Sequence, residues 1–393
     1  MLNIAVVGAG IGGLSAGIML RKIGCEVTIF EKLPQKSPGG VGIQISANGI
    51  RALRKYGLAE KISEVGDLPD SIDFINGCTG EKVAKIPLGK TAEKLYGAGF
   101  YQFHREDLTS LLRNESLRLG VKLFYETPVL TVDQDNKGPT VITRLGPASF
   151  DLLVAADGIN SIVRNQIFDK HPPIFLNQVA YRTVVLAKKL PKNFASKRTQ
   201  LFLGSGKHVV SYPIRNGDLV NFVFCTEFDS YCHERWDAEV NLQELKDKFV
   251  EFIVLRKVFD NIVSAKKWGL FEHTLLKSWH RKRVVLLGDA CHPILPYLAQ
   301  GATQAIEDAH ELCIRIKKSF RSRDLEGQLR EYAINRAPRI KKIRRASKLN
   351  ATLFHLKKPI LVLILHFILK TLSLVWPKFL LRRFSWIYSG GPA

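Results

Sequence analysis

Three groups of residues in this chain have types and spacings that could do chemistry. Gly8, Gly10 and Gly13 stand between a β-branched run and an amphipathic stretch, and Glu31 closes the next apolar run. In such an arrangement Gly8 allows the tight turn out of a strand, Gly10 lets the backbone approach a pyrophosphate and Gly13 lets the helix pack closely on the strand. Amides at the helix N-terminus then hold the phosphate. Glu31 is placed to accept hydrogen bonds from a ribose diol, and an acid there suits FAD or NAD better than NADP. The second group lies in residues 284–309, VVLLGDACHPILPYLAQGATQAIEDA. An apolar strand runs into Gly288-Asp289, then a Pro-broken loop, then a helix start at Gly301-Ala302, which presents backbone N–H groups and one carboxylate to a phosphorylated ligand. Two such segments, about 280 residues apart, either fold onto one ligand or bind two. The third group is in HVVSYPI, where strand alternation puts His208, Val210 and Tyr212 on one face, imidazole beside phenol. A histidine so placed suits proton removal near pH 7.

The elements that must carry these residues can be read from pattern. Strand, glycine turn, helix and second strand in residues 2–31 predict a Rossmann-type start on a parallel sheet. From about Gln178 to Glu227 the pattern changes to short strands with turn signals, and Asn216-Gly217 between two β-rich runs predicts a type I′ hairpin. With an earlier hairpin in residues 74–88 these strands predict a second, antiparallel sheet. Gly204-Ser205-Gly206-Lys207 is no phosphate loop, because Leu201 and His208 stand where its upstream glycine and its Ser/Thr would be. No second dinucleotide fingerprint is present in the sequence. His292, in the approach to a helix, reads as structural.

With 393 residues and 46% hydrophobic content the chain can bury a large core. Its six cysteines, Cys25, Cys78, Cys225, Cys232, Cys291 and Cys313, include no CxxC pair, which argues against a disulfide framework and a zinc site and for a reducing cytoplasm. The N-terminus enters a strand directly, without the basic region of a signal peptide. The formal charge of +22 is concentrated: from Tyr332 to Ala393 there is no acid and there are 13 Lys and Arg residues, which leaves only +9 on the rest. The basic character therefore belongs to a tail.

Together with three further segments, the chain resembles the single-component flavoprotein aromatic hydroxylases, the class A flavin monooxygenases, and within them the salicylate and 3-hydroxybenzoate hydroxylase group. The segments are GIQISAN at 42–48, which includes Gln44; HREDLTSLL at 104–112, whose Arg105 matches the family's flavin-contacting arginine; and DLLVAADGINSIVR at 151–164, with the Asp-Gly motif at Asp157-Gly158. Lys32 stands where arginine is common and Ala47 where proline is usual, which touches only the adenosine contacts. The resemblance implies one FAD spanning both glycine-rich segments, with Asp289 on the ribityl chain or pyrophosphate and the amides of Gly301 and Ala302 at the flavin pyrimidine edge. It implies a monooxygenase that uses NADH or NADPH and O2 to hydroxylate a small phenolic or heteroaromatic acid through a flavin hydroperoxide. His208, Tyr212 and Gln300 match its substrate-contacting His, Tyr and Gln. A lipidic substrate, or flavin binding without turnover, are the rival readings.

The expected fold class is α/β. A Rossmann-like FAD-binding domain (1–73, 102–172 and 271–335) carries an inserted antiparallel-sheet substrate domain (74–101 and 173–270), followed by a C-terminal helical segment (336–393). In that segment Pro359 and Pro377 bound 17 residues, at the lower edge of a membrane span. We expect it to pack on the protein, with peripheral contact to a membrane surface as the second reading. It has no nucleic-acid motif.

Overall fold

The computed structural model describes residues 1–35, 41–168, 172–228 and 238–391, with only the backbone of Ala238 and Glu239; Cys232 lies outside them. The first sheet has six strands in the order His280–Arg281, Val284–Leu286, Leu152–Ala155, Asn3–Val7, Glu26–Phe30 and Lys122–Phe124. All its pairs are parallel except that of His280–Arg281 with Val284–Leu286. Its central strands are continuous apolar runs, Ile4 to Val6 and Leu152 to Ala155, without solvent exposure. Such runs belong to a parallel sheet covered on both faces. Helix α1 (Ile11–Lys22) follows the first strand directly. A Cβ at Gly13 would collide with the Gly8 carbonyl, so only glycine lets α1 sit this close to the turn.

The second sheet has eight strands in the order Ala238–Glu239, Lys266–Glu272, Ile174–Leu186, Leu219–Glu227, Lys207–Ile214, Arg198–Gly204, Ser71–Asn76 and Lys82–Pro87. It is antiparallel but for one pair: Ser71–Asn76 runs parallel to Arg198–Gly204, because the early hairpin joins this sheet from a distant part of the chain. The hairpin turn at Asn216-Gly217 has φ of 56° and 86°, and the Asp218 N–H donates to the Arg215 carbonyl at 3.1 Å, as a type I′ turn requires. Alternation splits this sheet into two faces. Val209, Phe222 and Phe224 pack into an aromatic core with Phe249, Phe252 and Leu255, while His208, Val210 and Tyr212 face a large internal cavity.

The sequence boundaries at 73/74 and 270/271 fall inside strands Ser71–Asn76 and Lys266–Glu272. The one at 335/336 falls inside a helix. After α2 (Gly301–Ser322), α3 (Leu325–Phe354) runs unbroken through it. Arg336, counted among the tail charges, is 1% exposed. Its Nη1 lies 2.7 Å from Glu307, its Nε 2.7 Å from Asp308 and its Nη2 2.7 Å from Gln304 Oε1. A guanidinium can be buried this deeply only because carboxylates and an amide satisfy it, so α3 belongs to the core through its first half. The following helix, α4 (Pro359–Val375), contains no buried residue. Packing of the C-terminal segment, as expected from sequence, therefore holds for α3 and for Leu380, Leu381 and Ile387 near the end, but for only one side of α4.

Candidate active site

One continuous cavity of about 1560 Å³ joins the two sheets. At its N-terminal end Gly8 turns the chain with φ of 100°, where a Cβ would strike the Ala156 carbonyl. Gly10 faces the cavity with no heavy atom within 4 Å of where a Cβ would stand. Gly13 does not face the cavity, and its part is the close packing described above. Glu31 accepts from the Ala9 N–H at 2.7 Å and the Leu33 N–H at 2.9 Å, which ties the strand end to the glycine turn. Lys32 lines the wall beside it, and Gln44 lines the wall while donating to Thr199 Oγ1 at 3.2 Å.

Deeper in, Arg105, Asp157, Gly158, Gly288, Asp289, Gly301 and Ala302 all reach the same space. Asp157 Oδ2 accepts from the Ile162 N–H at 2.9 Å at the start of helix Ile162–Ile167, while its Oδ1 is buried without a partner. Burial raises its pKa, and so it does for Asp289, whose carboxylate opens on the cavity and is partly offset by His292 and Arg105. Gly288, with φ of 62°, donates its N–H to Asp308 at 3.0 Å. Arg164 ties the two loops together: its Nη1 bonds the Ala290 carbonyl at 3.1 Å and its Nη2 the Ile159 carbonyl at 2.7 Å. The first turn of α2 carries no acid, so its free amides at Gly301 and Ala302 present a positive dipole end to the cavity.

At the sheet end, His208 is 2% exposed and its Nδ1 lies 2.9 Å from His355 Nε2. Burial, then His355, lowers its pKa well below the usual imidazole value. Tyr212 lines the same face, and burial raises its phenol so that it stays protonated. Gln300 does not join them. It is fully buried, its Nε2 donates to Ser46 Oγ at 2.8 Å, and its Oε1 accepts from Gln304 Nε2 at 2.9 Å. Its amide is spent on a network behind the cavity wall, so the expectation that it orients a substrate does not fit this geometry. His292 is structural as read: its Nε2 meets Asp308 Oδ2 at 2.6 Å within the Arg336 cluster.

Two residues of the site escaped the sequence reading, one lining the cavity and one behind it. Arg182, on strand Ile174–Leu186, stacks its guanidinium 4.3 Å from the centre of the Trp268 ring. Its Nε is buried and without a hydrogen-bond partner, and it has no ion pair among the described residues. An arginine inside an apolar strand run, AYRTVV, was the available signal. His355 gave none, because it sits at the C-terminal end of α3, far along the chain in a tail read for its charge.

A model of the FAD binding domain matches residues 1–347. The 3-amino-4-hydroxybenzoate 2-monooxygenase of Streptomyces cremeus is 32% identical over 363 residues, covering 90% of this chain and 88% of that protein. The 6-hydroxynicotinate 3-monooxygenase of Pseudomonas fluorescens is 33% identical over 362 residues, covering 89% and 91%. The chain belongs to the class A flavoprotein aromatic hydroxylases. Among solved structures, the Klebsiella pneumoniae HpxO complexed with FAD and uric acid superposes on this monooxygenase with a TM-score of 0.87 at 23% identity, over 100% of this chain and 97% of that one. A salicylate hydroxylase substrate complex gives 0.81 at 23%, over 100% and 98%. These two establish the shared fold.

The residues present in this hydroxylase fit FAD. The open approach at Gly10, the partnerless Asp157 Oδ1, the cavity-facing Asp289 and the acid-free start of α2 are what a dinucleotide with a polar isoalloxazine edge needs. FAD is the cofactor of this monooxygenase.

Proposed function

We propose that this enzyme hydroxylates a small phenolic or heteroaromatic carboxylic acid. The observation that carries the reading is Arg182: a desolvated guanidinium without an anionic partner among the described residues, facing the same cavity as His208 and Tyr212. A buried cation is stable where an anion completes it, and a planar fork of N–H donors matches a carboxylate. The named substrates of the two relatives above, an aminohydroxybenzoate and a hydroxynicotinate, carry that group, which supports the same assignment.

FAD, when bound, supplies the oxygen-transfer chemistry. Around it, this chain's own residues hold the substrate and move a proton. Arg182 anchors the carboxylate, and Tyr212, kept as a neutral phenol, hydrogen-bonds the ring substituent. His208 Nε2 takes the phenolic proton, which enriches the ring for electrophilic attack. Since burial disfavours an imidazolium at His208, its Nδ1–H passes to His355 Nε2 as the new proton arrives. His355, whose Nδ1 lies 3.4 Å from the Gln178 side-chain amide, in turn releases its Nδ1 proton past that amide toward the surface depression it lines with Glu227 and Lys357. Both imidazoles begin and end neutral, the substrate is left as phenolate, and the proton reaches water.

The eight-stranded sheet and the helices packed on its outer face are taken as the substrate domain. The enzyme is placed in the cytoplasm, with its C-terminal segment in peripheral contact with a membrane. The decisive experiment for the chemistry is a panel of aromatic acids and their carboxyl-free analogues, scored for stimulated NAD(P)H oxidation together with hydroxylated product. Stimulation by carboxyl-free phenols alone would refute the acid reading.

A further inference from the structure

Helix α4 is built as if solvent were absent on its outer side. Val362, Leu365, His366, Leu369 and Leu372, at spacings of three and four, are half-buried against the protein, and Ser373 Oγ accepts the Lys85 N–H at 2.9 Å on strand Lys82–Pro87. The opposite face is where a surface helix of a globular protein carries its charges. Here it holds Ile360, Leu363, Ile364, Phe367, Ile368 and Leu374, with Leu363 68%, Phe367 71% and Leu374 76% exposed. The apolar surface continues through Trp376 and Phe379 beyond the helix end. A contiguous patch of this kind marks an interaction surface.

The cations around it say which partner. Lys358 precedes the helix and Lys378, Arg382 and Arg383 follow it, all without an acidic partner among the described residues, and no acid occurs in the sequence after Glu331. No single helix among the described residues is long and apolar enough to cross a membrane. A two-fold contact with a second copy would bring these unneutralised cations together, whereas an anionic lipid surface neutralises them and takes up the apolar ridge.

We infer that α4 is an in-plane docking helix for an anionic lipid surface, with the ridge from Ile360 to Leu374 inserted below the headgroups and Trp376 and the flanking Lys and Arg residues at the headgroup level. The chain runs from this face directly into the cavity wall at Phe384 and Tyr388, so docking holds the catalytic cavity close to the membrane. This inference rests on the peripheral placement proposed above and is independent of the substrate, since lipid binding is read without turnover.

The test uses the full-length holoenzyme in co-sedimentation with vesicles of phosphatidylcholine alone and of phosphatidylcholine mixed with phosphatidylglycerol, at low and high salt, with FAD content as the check on folding. The expected result is binding to the anionic vesicles that weakens with salt and is lost, by tenfold or more, in the double variant Leu363→Glu, Phe367→Glu. In a second variant, Lys378→Ala with Arg383→Ala, affinity for anionic vesicles falls by a factor of roughly five per cation removed. Five results would overturn the proposal. Equal binding to both vesicle types, or binding unchanged in the Glu variant, removes the anionic-surface helix. Salt-resistant insertion that withstands alkaline extraction makes α4 part of a span. Absence of vesicle binding, with a dimeric mass that becomes monomeric in the Glu variant, assigns the ridge to a second copy. Absence of both leaves α4 with no lipid role.

Discussion

His208 Nδ1 and His355 Nε2 lie 2.9 Å apart, one imidazole on the cavity face of the second sheet and the other at the C-terminal end of α3. The pair connects the cavity to a surface depression of about 380 Å³. Both imidazoles are depressed by burial, His355 to about 4, so neither is a good base alone. A relay that keeps both neutral is the arrangement in which such residues can still carry a proton.

His208→Ala is expected to keep its FAD and lose hydroxylation by roughly 10²–10⁴-fold, the span for a positioned proton acceptor, while NAD(P)H oxidation continues as uncoupled peroxide release. His355→Gln should give a smaller loss at neutral pH that narrows as pH rises toward the substrate's own phenol pKa, because spontaneous ionisation replaces the relay. A loss that is constant with pH would mean that His355 only props His208 in place.

Arg182→Gln should weaken binding of an aromatic acid by roughly 10- to 100-fold, the worth of hydrogen bonds to a charged group, and leave the carboxyl-free phenol unaffected. Perturbation of flavin absorbance by benzoate and by phenol, in wild type and variant, measures it. Equal weakening for both ligands would show that Arg182 shapes the cavity without reading the carboxylate.

Asp289→Ala removes the one carboxylate at the start of the Pro-broken loop. We expect FAD affinity to fall by roughly 10- to 100-fold, since a charge-assisted hydrogen bond contributes about 1.5–3 kcal/mol. The flavin retained after gel filtration is the readout, and an unchanged holo fraction would rule out the contact.

Stability should decline on acidification in two stages. His310 and His355 sit near 4 through burial, against an ordinary 6.5, so the unfolded chain binds protons that the native state does not as pH falls from about 6.5 toward 4. Burial pushes Asp308 up, but His292 and Arg336 outweigh it and hold it down to about 2, so its contribution is present above 3.8 and is lost only below that. Thermal melting of the holoenzyme across this range should show a plateau above pH 6.5 and a fall beneath it, with the upper limb flattened in His310→Gln. A melting temperature that stays level from pH 6.5 to 5 would contradict the depressed histidines.

What the sequence alone determined is local in origin. Gly8, Gly10, Gly13 and Glu31 were legible because a turn, a close approach and a strand end act over a few residues, and the face shared by His208 and Tyr212 followed from the two-residue period of a strand. The Asn216-Gly217 turn was legible for the same reason. What only the tertiary structure decided is how distant segments divide their polar groups. Gln300, just ahead of α2, and Arg336, on α3, are polar residues whose partners spacing does not reveal. The first is turned into a buried amide network with Ser46 and Gln304, and the second is drawn from an apparent basic tail into a core ion cluster with Glu307 and Asp308. Arg182 has no ionic partner among the described residues and His355 has His208, and neither fact could be read from spacing, because each depends on which side chains the fold brings within hydrogen-bonding distance across more than a hundred residues. The outer face of α4 shows the same division: periodicity gives an apolar helix, but only packing shows which side is left without protein to cover it.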